Sequence, residues 1–128
     1  MRSSPHSSCV LVVDDELLIR WSLREALRAA GYTVIEGRNA AEARRAIGDQ
    51  AHLPDVVLLD YRLPDSDDLG LLAAIRREAP TVPVVMMTAH GTSDVVKGAL
   101  DLGAYRVISK PFEVHDMASL VAEAIASR

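Results

Sequence analysis

Polar side chains that could perform chemistry stand directly after four of the chain's short apolar stretches. The set comprises Asp14, Asp15 and Glu16 after the first stretch, Asp60 after the third, Thr88 after the fourth and Lys110 after the fifth. Carboxylates that are brought together repel one another unless a cation lies among them. Oxygen ligands with room for water suit Mg2+, which usually takes one or two protein carboxylates together with phosphate oxygens. With an ammonium and a hydroxyl beside them, these carboxylates predict a site for a phosphoryl group carried on a carboxylate.

Each member of this set also has a simpler explanation. An aspartate at a strand end often caps the next helix, and for Asp14 or Asp15 alone this explanation is as good as metal binding. A lone threonine or lysine there is usually a solvated loop residue. What favours chemistry is that these residues stand together at four strand ends. Nucleotide binding is disfavoured because the sequence has no glycine-rich phosphate-binding pattern. The histidines lack metal-ligand spacing and are interpreted as surface residues: His6, His52, His90 and His115.

The elements that must position this set alternate along the chain. Five apolar stretches, at residues 9–13, 33–35, 56–59, 83–87 and 105–108, precede five helical patterns, at about 17–30, 40–48, 69–78, 93–102 and 113–126. The stretches are nearly continuous, which is typical of strands covered on both faces. Strict alternation predicts right-handed βαβ units and a parallel sheet with helices on both sides. Ligands of such sheets bind beyond the carboxyl ends of the strands, where the polar set stands.

Helix ends and faces follow from local signals. Gly31 and Gly103 are predicted to end the first and fourth helices, while Asn39 and Ser93 are predicted to cap the second and fourth. The core face of the first helix is predicted to hold Ile19, Leu23, Ala26, Leu27 and Ala30.

Trp21 is the only tryptophan. It lies roughly 200° around the first helix from Ile19, so we expect it to be at least partly exposed. Leu18, three residues earlier, is its neighbour on the surface. Two large apolar side chains there suggest a contact surface, although the simpler alternative is that Trp21 packs its flank on its neighbours.

Composition indicates an ordinary globular protein of one domain. The 128 residues are 49% hydrophobic and 25% charged, with a formal net charge of -4 and no basic run, which argues against direct contact of this domain with nucleic acid. The single cysteine, Cys9, excludes an internal disulfide and suits a reducing compartment. Residues 1–8 have no apolar signal core and no apolar run is long enough to span a membrane, so a soluble cytoplasmic protein is expected.

Five short strings carry a resemblance to a known family. They are LVVDDE at residues 11–16, DVVLLD at 55–60, LP at 63–64, VMMTA at 85–89 and KPF at 110–112. Together they resemble the receiver domain of bacterial two-component response regulators over about residues 8–126. The resemblance implies a flavodoxin-like (βα)5 α/β fold, a doubly wound parallel sheet of five strands in the order 2-1-3-4-5. It also implies a cis peptide bond between Lys110 and Pro111.

The resemblance assigns roles to the polar set. A sensor histidine kinase would donate a phosphoryl group from its phosphohistidine to Asp60. Asp15 and Asp60 would bind Mg2+ directly, the main-chain carbonyl of Arg62 would complete the protein ligands, and Asp14 would act largely through water. Thr88 and Lys110 would contact the phosphoryl oxygens. The chain would then be a switch and not a turnover enzyme, with the fourth helix, fifth strand and fifth helix as its output surface.

A longer regulator is indicated by the string LIRWSL at residues 18–23, which resembles receivers of the nitrogen-regulator type. Such receivers usually precede an ATPase domain and a DNA-binding domain, so residues 1–128 are interpreted as one receiver domain, the N-terminal fragment of a transcriptional regulator whose output domain is absent from this chain. In related receivers the start of the first helix meets the kinase, which makes Leu18 and Trp21 docking candidates. A homodimer stays open.

Three positions depart from the family pattern. Val107 stands where receivers have an aromatic switch residue, and Tyr105, expected on the same side of the strand, is the candidate replacement. Asp68 stands where the family has glycine, and aspartate tolerates a left-handed conformation better than most residues. Arg62 and His90 occupy the variable positions beside the phosphorylation site, where bulky basic side chains would shield the phosphoryl group from water.

Two alternatives remain. A Mg2+-dependent phosphohydrolase of the haloacid-dehalogenase type would use an aspartyl-phosphate, but it needs a second aspartate where this chain has Arg62, and it needs a cap domain. A pseudo-receiver would dock partners without phosphorylation, and the complete polar set argues against it.

Overall fold

The structure is a computed structural model that describes residues 8–128, so residues 1–7, with His6 and most of the polar start, lie outside the described part. The strands are β1 (Cys9–Val13), β2 (Thr33–Gly37), β3 (Val56–Asp60), β4 (Val84–Thr88) and β5 (Arg106–Ser109). The helices are α1 (Leu17–Ala29), α2 (Ala40–Gly48), α3 (Gly70–Glu78), α4 (Ser93–Asp101) and α5 (Asp116–Ala126), with a 3-10 turn at Gln50–His52.

All five strands are parallel and lie in the order β2-β1-β3-β4-β5. One apolar cluster joins the sheet to α1 and α5, and a second joins the opposite face to α2, α3 and α4. The predicted doubly wound, flavodoxin-like fold is therefore confirmed, and the strand register brings the ends of β1, β3, β4 and β5 to one edge. None of the helices within residues 8–128 has the length and apolar character needed to cross a membrane.

Coverage of the sheet differs between its centre and its edges. β3 and β4 are buried along their whole length, and β1 is buried except at Cys9. β2 and β5 consist of exposed and half-buried residues apart from the buried Gly37, because each strand has a neighbour on only one side. The expectation that all five strands are covered on both faces is thus right for the centre and wrong for the edges.

Most predicted helix ends are confirmed. Gly31 and Gly103 take positive φ angles of 97° and 99°, which glycine adopts without a Cβ clash. The side chain of Asn39 accepts a hydrogen bond from the main-chain N–H of Glu42. Ser93 is not a cap. Thr92 caps α4 instead, because its hydroxyl accepts from the N–H of Val95 and Ser93 is already helical. α5 begins at Asp116, three residues later than predicted.

The face of α1 that enters the core is rotated from the predicted one. Its buried residues are Arg20, Leu23 and Leu27, whereas Ile19 and Ala26 are half-buried and Ala30 is exposed. The rotation leaves Trp21 50% exposed and Leu18 72% exposed, so the predicted exposure of this pair is confirmed.

Candidate functional site

Three carboxylates converge at the carboxyl edge of the sheet. Asp14 follows β1 and Asp60 ends β3, and both are buried, whereas Asp15 is exposed. One oxygen of each lies within 4.8 Å of the others, a spacing that could hold a metal ion. A cavity of about 290 Å³ opens beside them and is also lined by Arg62, Thr88, His90 and Lys110. The site predicted from the strand ends is therefore assembled in space.

Lys110 contacts three carboxylates through one ammonium group. Its Nζ lies 2.7 Å from Asp14 Oδ2, 3.3 Å from Asp60 Oδ1 and 3.4 Å from Glu16 Oε1. Burial by itself lowers the pKa of Lys110, but the hydrogen bond to Asp14 and the charge of Asp60 outweigh burial and leave the pKa above its usual value. The ammonium thus stays charged and adjoins the oxygens of Asp60.

Asp60 is poorly compensated as an anion. Burial, and next the negative charge of Asp14, raise the pKa of Asp60 to about 6. Lys110 and the main-chain N–H of Arg62 oppose the rise without cancelling it. A cation placed between the carboxylates would relieve this cost. The all-oxygen donor set and the adjoining cavity fit a hard divalent ion such as Mg2+, and a metal-ligand role for the Arg62 carbonyl stays a prediction.

Thr88 lies at the end of β4 and is 2% exposed. Its hydroxyl accepts a hydrogen bond of 3.1 Å from the main-chain N–H of His90, so the side chain is already oriented within the site. Its carbonyl accepts a hydrogen bond of 2.8 Å from the N–H of Lys110. The backbone therefore joins the predicted phosphate-contacting threonine to the lysine that follows β5. The peptide bond between Lys110 and Pro111 is cis, as predicted.

Two residues near the site were missed by sequence reasoning. Arg20 is buried on α1 and donates from its guanidinium to the carbonyl of Asp14 at 2.8 Å. Asp65 fastens the loop after β3 to α2, because its carboxylate accepts from the N–H groups of Ala40 and Ala41. These hydrogen bonds, that to Ala40 first, lower the pKa of Asp65. A charged residue at helical spacing from Leu23 was the signal for Arg20, and the sequence holds no comparable signal for Asp65.

Tyr105 and Val107 lie on opposite sides of the sheet, and a switch role for Tyr105 stays a prediction. Tyr105 packs on the side of the sheet that carries α1 and α5, whereas Val107 packs on the side that carries α2, α3 and α4. The expectation that the two share a side is wrong because Tyr105 precedes β5, where strand alternation does not yet apply. Its N–H donates to the carbonyl of Val84 at the start of β4, at the edge of the sheet opposite Asp60.

The loop after β3 needs no left-handed residue. Among residues 8–128 only glycines have a positive φ, so Asp68 does not adopt the conformation that glycine would favour there. Its side chain instead accepts a hydrogen bond of 2.8 Å from the N–H of Gly70, at the start of α3.

An apolar groove lies beside the site. Its volume is about 440 Å³, and Leu18, Ile19, Lys110 and Phe112 are among the residues that line it. Leu17, which the sequence interpretation did not single out, is 71% exposed beside Leu18. The start of α1 therefore presents a larger apolar surface than Leu18 and Trp21 alone.

Comparisons with known proteins agree with this geometry. Residues 10–122 match the response regulator receiver domain family. The DNA-binding transcriptional regulator NtrC of Escherichia coli K12 is 41% identical over 117 residues, which cover 91% of this chain and only 24% of that protein. The solved receiver domain of NtrX from Brucella abortus is 38% identical with a TM-score of 0.79, covering 92% of this chain and 98% of that one. A CheY-like receiver from Methanospirillum hungatei has a TM-score of 0.89 at 25% identity, covering 95% and 96% of the two chains.

Proposed function

The chain belongs to the response regulator receiver domain family, and from this premise we propose that Asp60 accepts a phosphoryl group in a Mg2+-dependent reaction. The donor is the phosphohistidine of a sensor histidine kinase. The single observation that carries the proposal is the position of Asp60, a buried carboxylate with a raised pKa, 3.3 Å from the Lys110 ammonium and open to a cavity.

The chain's own residues supply most of what the transfer needs. An ionised oxygen of Asp60 attacks the phosphorus, a P–O bond forms, and the P–N bond breaks as the imidazole leaves with its electron pair. Lys110 and Thr88 bind the phosphoryl oxygens. Asp15, Asp60 and the carbonyl of Arg62 would hold Mg2+ directly, with Asp14 acting through water. When bound, the metal offsets the charge that develops on the transferring group.

Phosphorylation switches the domain because it adds charge where little can be tolerated. A phosphoryl group brings about -1.5 to -2 charges at neutral pH. Lys110 is already shared among Asp14, Glu16 and Asp60, so it must change its contacts to meet the new oxygens. The hydrogen bond from its N–H to the Thr88 carbonyl links that movement to the ends of β4 and β5. The function is a change of conformation and not turnover of a substrate.

Two partners follow from the proposal. The kinase docks on the start of α1, where Leu18 and Trp21 are exposed beside the groove that reaches Lys110. An output domain outside residues 1–128 receives the signal through α4, β5 and α5, and transcription is its readout. This chain spans about a quarter of the length of the NtrC relative, so residues 1–128 are proposed to be the N-terminal domain of a longer regulator.

A small phosphodonor tests the proposal without a kinase. Incubation with acetyl phosphate and Mg2+ should add the mass of one phosphoryl group to the parent chain, and chelation of the metal should prevent the gain. Asp60→Asn removes the acceptor oxygen but keeps the shape of the side chain, so this variant should stay folded and gain nothing. Equal labelling of the variant would assign the phosphoryl group to another residue. No labelling of the parent would favour a pseudo-receiver.

A further inference from the structure

Arg20 is a charged residue placed where α1 contributes to the core. Its side chain is 8% exposed and stands one turn before Leu23 on the buried face of the helix. Burying a guanidinium is unfavourable unless hydrogen bonds and charges compensate it. An apolar residue would fill this position without that cost, so the contacts that Arg20 makes require an explanation.

The guanidinium of Arg20 bridges a main-chain carbonyl and a side-chain carboxylate. Its Nη1 donates to the main-chain carbonyl of Asp14 at 2.8 Å, and its Nε donates to Glu36 Oε1 on β2 at 3.2 Å. A planar guanidinium can serve both acceptors in a fixed geometry, which a lysine ammonium at the end of a flexible stem cannot do. Arg20 therefore connects α1, β2 and the residue that begins the carboxylate cluster.

The contact with Asp14 determines where Asp15 stands. The N–H of Asp14 donates to the carbonyl of Gly37 at 3.0 Å, and the Asp14 carbonyl is held by Arg20. Because the peptide unit is planar, fixing that carbonyl also fixes the N and Cα atoms of Asp15. The exposed carboxylate of Asp15 is thus carried on a backbone segment that is held from both sides.

We propose that Arg20 is a positioning residue for the divalent cation, acting through the Asp14–Asp15 peptide. This inference rests on the proposed function, because it assumes that Mg2+ binds between Asp15 and Asp60. Groups that orient metal ligands from behind commonly change metal affinity about 10- to 100-fold when they are removed. Arg20 holds the ligand-bearing backbone in place before the ion arrives, which reduces the ordering that binding would otherwise require.

Electrostatics alone predicts the opposite sign. Arg20 carries a positive charge behind an acidic cluster, so removal of that charge should favour a cation if charge were all that mattered. Weaker Mg2+ binding after the loss of Arg20 therefore separates positioning from simple charge.

Arg24 provides a matched control. It lies one turn further along α1 and its Nη1 contacts the other oxygen of Glu36 at 3.0 Å, while Asp14 is contacted by Arg20. Arg24→Met removes a guanidinium and a Glu36 ion pair from the same helix face, without touching the Asp14 carbonyl.

The test is a Mg2+ titration followed by the backbone amide shifts of residues 14–16 and 60–62, with no phosphodonor present. Arg20→Met should raise the Kd for Mg2+ about tenfold, Arg20→Lys should not restore it, and Arg24→Met should stay within about twofold of the parent. Unchanged or tighter binding by Arg20→Met would overturn the proposal, as would an equal loss in Arg24→Met. Failure of both Arg20 variants to fold would make Arg20 a structural residue and also overturn it. No Mg2+ binding by the parent would instead contradict the proposed function.

Discussion

The centre of the sheet and the edge formed by α4 and β5, residues 93–109, are built in contrasting ways. β3 and β4 are buried along their whole length and present Asp60 and Thr88 at their ends. β5 has no fully buried residue, and α4 buries only Ala99. The proposed acceptor Asp60 therefore stands on a tightly packed part of the molecule, and a loosely packed edge lies beyond the neighbouring strand β4.

This difference separates two requirements. Phosphoryl transfer needs an acceptor held in a fixed place, and buried strands supply one. A conformational response needs a segment whose rearrangement costs little, and segments with few buried contacts have low local stability. The two regions meet where the N–H of Lys110 donates to the carbonyl of Thr88.

Removing the Lys110 side chain should uncouple the edge from a phosphoryl group on Asp60, although the main-chain hydrogen bond to Thr88 stays, and it should give the largest effect. Lys110→Ala deletes the ammonium that contacts Asp60, so labelling by acetyl phosphate should slow by about 100-fold, the usual cost of losing one charge-stabilising donor. The phosphorylated fraction should show little amide shift change across residues 88–110.

The matched control for this variant is Lys97→Ala on α4, where the exposed lysine pairs with Asp101. It should be labelled at the parent rate. If the phosphorylated Lys110→Ala chain shows the same amide shift changes as the parent, the Lys110 side chain does not couple phosphorylation to residues 88–110.

Truncating Trp21 should show that the kinase docks on α1 and not on the edge formed by α4 and β5. Trp21→Ala should slow transfer from the cognate histidine kinase by about tenfold, because exposed tryptophans often anchor interfaces. Labelling by acetyl phosphate should stay near normal. Leu100→Ala, an exposed residue of α4, should leave both reactions unchanged. If both reactions of Trp21→Ala fall equally, or the variant unfolds, Trp21 is structural.

Neutralising Asp60, at the centre of the sheet, should raise the free energy of unfolding of the chain. Its pKa of about 6 in the folded chain exceeds the usual value near 3.9, so the folded state loses stability as pH rises from about 4 to about 6. In the absence of Mg2+, Asp60→Asn should therefore be more stable than the parent by about 1 kcal/mol above pH 6. This is below the roughly 3 kcal/mol expected from two pKa units, because the cavity beside Asp60 admits solvent that screens its charge.

The gain should disappear near pH 4, where the parent carboxyl is protonated as well. Urea unfolding of the two chains at both pH values measures this gain. A constant difference between Asp60→Asn and the parent across this range would mean that ionisation of Asp60 does not oppose folding.

Sequence reasoning predicted the fold, and the convergence of the polar residues at the strand ends, for one reason. In a parallel sheet the residue after each strand must lie at the same edge, so the position of Asp60 or Lys110 along the chain already fixes its neighbourhood. Contacts that depend on the rotation of a helix or on strand order could not be predicted in this way. Two examples are the burial of Arg20 on α1 and the side of the sheet on which Tyr105 packs.

The edge strands were misjudged for a related physical reason. The apolar residues of β2 and β5 did not distinguish a half-buried strand from a fully buried one. Burial depends on whether a strand has one neighbour or two, and strand order decides that. Ser93 and Thr92 illustrate the limit for helix caps, because both can accept the capping hydrogen bond and the backbone decides which one does.

The most direct test of the contrast between centre and edge is an amide chemical-shift map of the parent with Mg2+, before and after acetyl phosphate. Asp60→Asn, treated in the same way, is the control. Changes should concentrate in residues 88–110, remain small in the interiors of β1 and β3, and be absent from the control. Changes spread evenly over all five strands, or an unchanged edge in a chain whose mass shows it to be phosphorylated, would contradict the account.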